Sequence, residues 1–324
     1  MFKKLITTII IAALCAAASF ADVKITNEKF EDCGTCVKLT NGDVEVFVTK
    51  DFGPRIICYR YVGGENILGV SGGISDMKEG VWNNPGGHRL WLAPEYDGSY
   101  APDNDPLDVK ISGSTATFTA KAKDSAGFLK QTSVTLAGEG SQVIVNHKIT
   151  NENGVPAVVA PWALTVMQSD GTSVIPQEPY QTHDENIRPV RPMVLWGFTD
   201  LTHPGFAIGR NYVRITSNSA IPGPQKIGVT NTLGWAAYYK DSRLFVKRFA
   251  YDKDAVYADS GSNTEVYIDG GFMELESLGA MKTLMPGDST THSETWYLFK
   301  NVRLTGDDAA VAKKLAPIIK KTEK

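Results

Sequence analysis

The sequence predicts an all-β protein, a large antiparallel sandwich or barrel with a single helix at its C-terminal end. Three observations lead there. At least a dozen short runs alternate apolar and polar residues or are rich in Val, Ile, Thr and aromatics, and turn signals separate most of them. Only one stretch has a helical pattern, so the strands do not alternate with helices as a doubly wound sheet requires. The 324 residues are 42% hydrophobic and 21% charged, with 30 glycines and 16 prolines, which is ordinary for a globular chain and excludes a disordered, collagen-like or coiled-coil one.

Residues 1–21 read as a secretory signal peptide. Lys3 and Lys4 form a basic start, 5–18 is an apolar run, and Ser19 and Ala21 are the small residues expected before a cleavage point after Ala21. The run is shorter than the ~20 residues a spanning helix needs, so no stable membrane insertion is expected. The product is expected in the periplasm or outside the cell, as a single domain over 22–324. Export gives meaning to Cys33, Cys36 and Cys58. Cys33 and Cys36 have redox-motif spacing, but their flank runs as a strand into the turn at Asn41 and Gly42 rather than into a helix. One structural disulfide among the three is the expectation.

The hairpin 37–39 and 44–48 around Asn41-Gly42 opens the strand series, followed by 55–61. Further strands are expected at 108–111, 115–120, 131–136, 142–149 and 158–167, with turns at Gly113, Gly138 and Gly154. The series continues at 212–215, 235–239, 244–249, 265–268, 272–278 and 294–299. The helix spans 307–320. It has acids in its first turn and lysines in its last, and Val311, Leu315 and Ile318 are the face expected to pack on the sandwich. Residues 71–106 and 170–193 read as long irregular stretches, which in a compact β domain usually cover a site.

A formal net charge of −3 with a pI near 6.0 argues against a nucleic-acid partner. Chemistry concentrates in two places. In 82–95, Gly86 and Gly87 allow close backbone approach and deliver His88 and Arg89, with Trp82, Asn84, Trp91 and Glu95 around them. Aromatic faces beside fixed hydrogen-bonding groups suit a sugar, whose C–H face packs on a ring while its hydroxyls take polar partners. In 272–278, Glu274 and Glu276 share one face of an extended strand, where two carboxylates perturb each other and one can act as a base. His183 is a loop candidate, whereas His147 shares the face of Val145 and Ile149 and reads as a satisfied core or edge residue. No histidine pair has metal-ligand spacing and no dinucleotide or phosphate-loop motif is present, so neither metal nor cofactor is expected.

The block from Gly86 to Glu95 resembles the signature of an uncharacterised bacterial family in the galactose-mutarotase-like superfamily. Similar too are the blocks 234–238 and 244–249, 265–279, the Leu284-Met-Pro-Gly287 turn and 294–298. The resemblance implies a β-supersandwich with a sugar site on its concave face. It also implies aldose 1-epimerase chemistry, in which a late-strand glutamate takes the anomeric proton and a histidine protonates the ring oxygen. Glu276 matches the glutamate best, with Glu274 as the alternate. The stretch 161–167, where the superfamily's histidine would fall, contains none, and His88 is the substitute. Three functions follow: an exported carbohydrate-binding protein, an aldose 1-epimerase-like enzyme using Glu276 and His88, or a structural accessory sandwich.

Overall fold

The structure is a computed structural model that describes residues 23–323; the signal peptide read at 1–21 lies outside them. Among the described residues every strand pairing is antiparallel. One sheet runs, edge to edge, Lys24–Lys29, Thr35–Thr40, Val44–Thr49, Ile56–Tyr61, His88–Ala93, Ala157–Val166, Phe272–Leu278, Thr264–Asp269, Pro224–Val229 and Met193–Leu195, with the short Lys282–Leu284 paired beside it. The second runs Phe206–Ile208, Tyr212–Thr216, Thr172–Pro176, Trp235–Lys240, Arg243–Phe249, Ser289–Phe299, Val143–Asn151, Phe128–Leu136, Thr115–Thr119 and Asp108–Ser112. The architecture is therefore the all-β sandwich that the strand pattern predicts.

The core lies between the sheets. Val46, Ile56, Leu275, Val145, Phe245 and Trp296 belong to one buried cluster drawn from both. Strand Val143–Asn151 shows how pattern becomes placement: Val143, Val145, His147 and Ile149 are buried while Ile144, Asn146 and Lys148 face out. The centre of the first sheet is different. All six residues of His88–Ala93 and nearly all of Ala157–Val166 and Phe272–Leu278 are buried, so these strands are covered on both faces. Strands of that kind lose the simple apolar–polar alternation. For this reason the stretch 71–106, expected to be irregular, contains a central strand. The stretch 170–193 likewise contains Thr172–Pro176.

The helix is Asp308–Lys320. Asp307 caps it by accepting a hydrogen bond from the Ala310 N–H, and the Asp308 carboxylate accepts from the backbone of Asn211 and Tyr212, which ties it to the second sheet. Val311, Leu315 and Ile319 are buried against Tyr212, Trp235, Leu244 and Val246 on that sheet's outer face. Ile319 takes the central place expected for Ile318, which is only partly buried.

The cysteines correct an expectation. All three are free thiols, each buried in an apolar cluster with Phe30, Phe47, Phe52 and Ile57. The Cys36 thiol donates to the Cys33 carbonyl oxygen at 3.7 Å instead of bonding a second sulfur. Burial pushes the Cys33 thiol up to about 11 and the Cys36 and Cys58 thiols to about 12.

Gly86 and Gly87 are required by the backbone. Both have positive φ, +88° and +70°, and a Cβ on them would lie 2.2 Å from the Gly69 carbonyl oxygen and 2.5 Å from that of Ile56. Gly87 accepts from the Val166 N–H and donates to Gly69, both at 2.8 Å, so it ties three segments together just before Arg89. Gly87→Ala combines a disfavoured φ with a backbone clash. It should lower stability by about 1–3 kcal/mol, measured by chemical denaturation, whereas Gly113→Ala, at a turn with open space around it, should lose less.

Candidate binding cleft

The first sheet has an outer face, turned away from the second, and across its centre lies a cleft of about 630 Å³. Strand alternation builds it. Arg89 and Trp91 come from His88–Ala93, and Trp162, opposite Trp91 in register, comes from Ala157–Val166. Glu274 and Glu276 project from Phe272–Leu278, Tyr267 and Asp269 from Thr264–Asp269, and Lys226 from Pro224–Val229. Loops supply the rim: Trp82, Asn84, Glu95 and Tyr100 on one side, Trp196 and Phe198 on the other.

Two cations organise the floor. Arg89 pairs with Glu274 at 2.7 Å and lies 4.3 Å above the centre of the Trp91 ring and 5.6 Å from that of Trp82. Asn84 accepts a long hydrogen bond from it, 3.5 Å. Lys226 bridges Glu276 at 3.1 Å and Glu265 at 2.8 Å, with the rings of Trp162 and Trp196 each under 5 Å away. Glu276 also accepts from Trp162 Nε1 at 2.8 Å. Burial pulls the Lys226 ammonium down, but Glu276 and Glu265 outweigh it and hold its pKa above the ordinary lysine value. Burial pushes Glu265 well above the carboxylate range, and Lys226 only partly offsets that. The trio is therefore one ammonium shared by two buried carboxyls. Glu276 is fully buried, and its Oε1 has no donor.

Seven of the nine residues singled out from the sequence line this cleft: Glu274, Glu276, Arg89, Trp82, Trp91, Glu95 and Asn84. His88 does not. It precedes Arg89 on the same strand and so points to the opposite face, into the space between the sheets. There its Nδ1 meets Thr165 Oγ1 at 2.9 Å and its Nε2 meets His147 Nε2 at 2.8 Å. His183 lies on an exposed loop beside Asp184, away from the cleft. Lys226, Trp162, Tyr267 and Asp269 were not singled out. The alternation of Glu265, Tyr267 and Asp269 on one face, parallel to that of Glu274 and Glu276, was the signal available for two of them.

Behind the cleft, His88 belongs to a buried polar layer. Lys247 donates to Glu294 at 2.9 Å and to the Leu275 carbonyl at 2.9 Å; Trp296 Nε1 and Ser277 also donate to Glu294, at 2.8 and 2.5 Å. His292 meets Ser277 at 2.7 Å and His147 meets Thr132 at 3.2 Å. Burial would raise Glu294, but the Lys247 ammonium and the neighbouring imidazoles hold it far below the usual carboxylate range. Burial pulls His147 down to about 3 and His292 to about 4, and pulls His88 well below the usual histidine value. His88, His147 and Glu294 are of metal-ligand type and close together, yet their polar atoms are already engaged with one another and with Lys247, Trp296 and the threonines.

An antiparallel two-sheet sandwich with a ligand-sized aromatic and acidic cleft on one outer face defines the class. No family model matches the sequence, and no curated protein matches it. Solved structures do share the fold. A galactose mutarotase-like protein from Clostridium acetobutylicum superposes with a TM-score of 0.54 at 13% identity, over 86% of this chain and 99% of that one. One from Lactobacillus casei gives 0.53 at 13%, over 82% and 100%. A TPR-domain containing protein from Parabacteroides distasonis gives 0.56 at 12%, over 84% of this chain; the chain spans only 48% of its length. At these identities the likeness is one of fold, and the fold is galactose-mutarotase-like.

Two outcomes follow. Lys226→Met leaves Glu265 and Glu276 buried side by side without their cation and should cost about 3–5 kcal/mol of stability. Glu265, its folded pKa raised still further, gains from protonation, so the deficit relative to the parent should shrink at acid pH; an unchanged deficit would mean the trio carries no such coupling. The histidines give the parent protein its own acid limit. Their folded pKa values lie below the unfolded value of about 6.5. The stability they allow is full above that pH and is lost as pH falls towards 4, by up to about 1.4 kcal/mol per pH unit for each. Denaturation across this range should show the decline, and His292→Gln should remove about a third of the slope contributed by the three.

Proposed function

We propose that this chain is an exported carbohydrate-binding protein whose sugar site is the cleft on the outer face of the first sheet. The observation that carries the reading is the pairing of tryptophan walls with buried, fixed carboxylates, Glu274 and Glu276, on the floor of a cavity of ligand size. A sugar has an apolar face for Trp82 or Phe198 at the rim and hydroxyl donors for Glu276 Oε1, while Arg89 and Asn84 supply a donor and an acceptor beside it. The structural neighbours, described as galactose mutarotase-like proteins, point the same way. Export rests on the leader at 1–21, and no helix of the described residues is long and apolar enough to cross a membrane.

The epimerase-like reading needs a proton donor facing Glu276 across the sugar ring. No imidazole lines the cleft among the described residues, since His88 lies behind the sheet, and the raised pKa of Lys226 makes that ammonium a poor acid at neutral pH. Binding without anomer exchange is thus the function the geometry favours.

Calorimetry with a panel of mono- and oligosaccharides should detect binding. Glu276→Gln should weaken it by about 1.5–3 kcal/mol, the contribution of a charged hydrogen bond, or roughly ten- to a hundredfold in Kd. Polarimetry on free aldoses should show no exchange above buffer. Exchange that Glu276→Gln abolishes would establish the epimerase instead, and a folded sample that binds no saccharide would leave only the accessory role. Mass spectrometry of the exported protein should find Asp22 at its N-terminus.

A further inference from the structure

The cleft carries more negative than positive charge. Glu95, Asp269, Glu274 and Glu276 line it against Arg89 and Lys226. Both cations are committed within the protein, Arg89 to Glu274 and Lys226 to Glu276 and the hidden Glu265. What stays open is mainly acceptor. Glu276 Oε1 is buried without a donor, and Asp269 and Glu95 stand at the exposed rim. A carboxylate can only accept, so the ligand has to bring donors. The surplus charge then selects among donors by sign: a uronate, sulfate or phosphate group adds to the repulsion, a hydroxyl is indifferent, and an ammonium is attracted. Arg89 and Lys226 already lie over the four cleft tryptophans, but Tyr100, Phe198, Tyr267 and Phe272 also line the cleft and favour the same sign, because a cation is stabilised over a ring face. Two unpartnered donors, Trp82 Nε1 and Arg89 Nε, are left for the oxygens of the same ligand.

We propose that the ligand of this cleft is an amino sugar, a saccharide carrying a free protonated amine, with the ammonium held by Glu276 and drawn in by Asp269 and Glu95. This rests on the sugar-binding reading and adds the class of sugar to it.

The test is calorimetry at about pH 6 on four probes that differ in one group: glucosamine oligomers, their N-acetylated counterparts, neutral glucose oligomers and glucuronate oligomers. Free-amine oligomers should bind at least about tenfold more tightly than the neutral and N-acetylated ones, and glucuronate should bind weakest. The preference should shrink as salt is raised, since it is electrostatic at the rim. Glu276→Gln should erase most of it. Asp269→Asn, an exposed substitution that keeps the acceptor for the Gly223 N–H, should reduce it several-fold while the thermal melt stays unchanged, which covers the case of a misfolded Glu276 variant. Equal binding of amine and neutral oligomers overturns the amino-sugar proposal and leaves the sugar site standing. Preference for glucuronate overturns it too. Binding of none of the four removes the sugar site itself.

Discussion

The structure depends on one constraint: in the first sheet's central strands, consecutive side chains go to opposite faces, and neither face is solvent. On His88–Ala93, His88 enters the polar layer between the sheets and Arg89 enters the cleft. On Phe272–Leu278, Glu276 faces the cleft and Ser277 the interior, where it donates to Glu294. A shift of one residue in register would exchange the two environments entirely. Core and site are therefore two readings of the same strands, and Gly86 and Gly87, which admit no side chain, hold the phase at the point where the chain enters them.

Burying charge on both sides of one sheet needs compensation on both sides. Among the pairs are Lys247 with Glu294 on the inner side, and Lys226 with Glu276 and Arg89 with Glu274 on the outer. Such pairs are weak contributors to net stability, because desolvation offsets most of the attraction. Their consequence is positional. Each cation pins a carboxylate in one place, so the acceptors of the cleft are fixed before a ligand arrives and little ordering remains to be done on binding.

The sequence made the fold class legible because Thr115–Thr119, Phe128–Leu136 and Val143–Asn151 of the second sheet are covered on one face and alternate cleanly, and because Asn41-Gly42 marks the early hairpin. It hid His88–Ala93, whose two buried faces erase the alternation, and the short strands Met193–Leu195 and Phe206–Ile208. The acidic and aromatic cleft residues could be picked out by chemistry, as Glu274, Glu276, Trp82 and Trp91 show. Lys226 could not, since a single lysine between Gln225 and Ile227 reads as surface, and only the third dimension places it between Glu276 and Glu265. The misplacement of His88 came from reading two neighbours in a strand as one functional unit when a strand separates them.

The sharing of Lys226 by two carboxyls has a consequence for how this cleft can change. A mutation of any one member strands the others, so the floor resists stepwise substitution and is altered only by coordinated replacement of all three. Glu95 and Asp269 at the rim carry no such obligation. Variation in ligand preference among descendants of this chain, natural or selected in the laboratory, should therefore begin at the mouth of the cleft and reach its floor last.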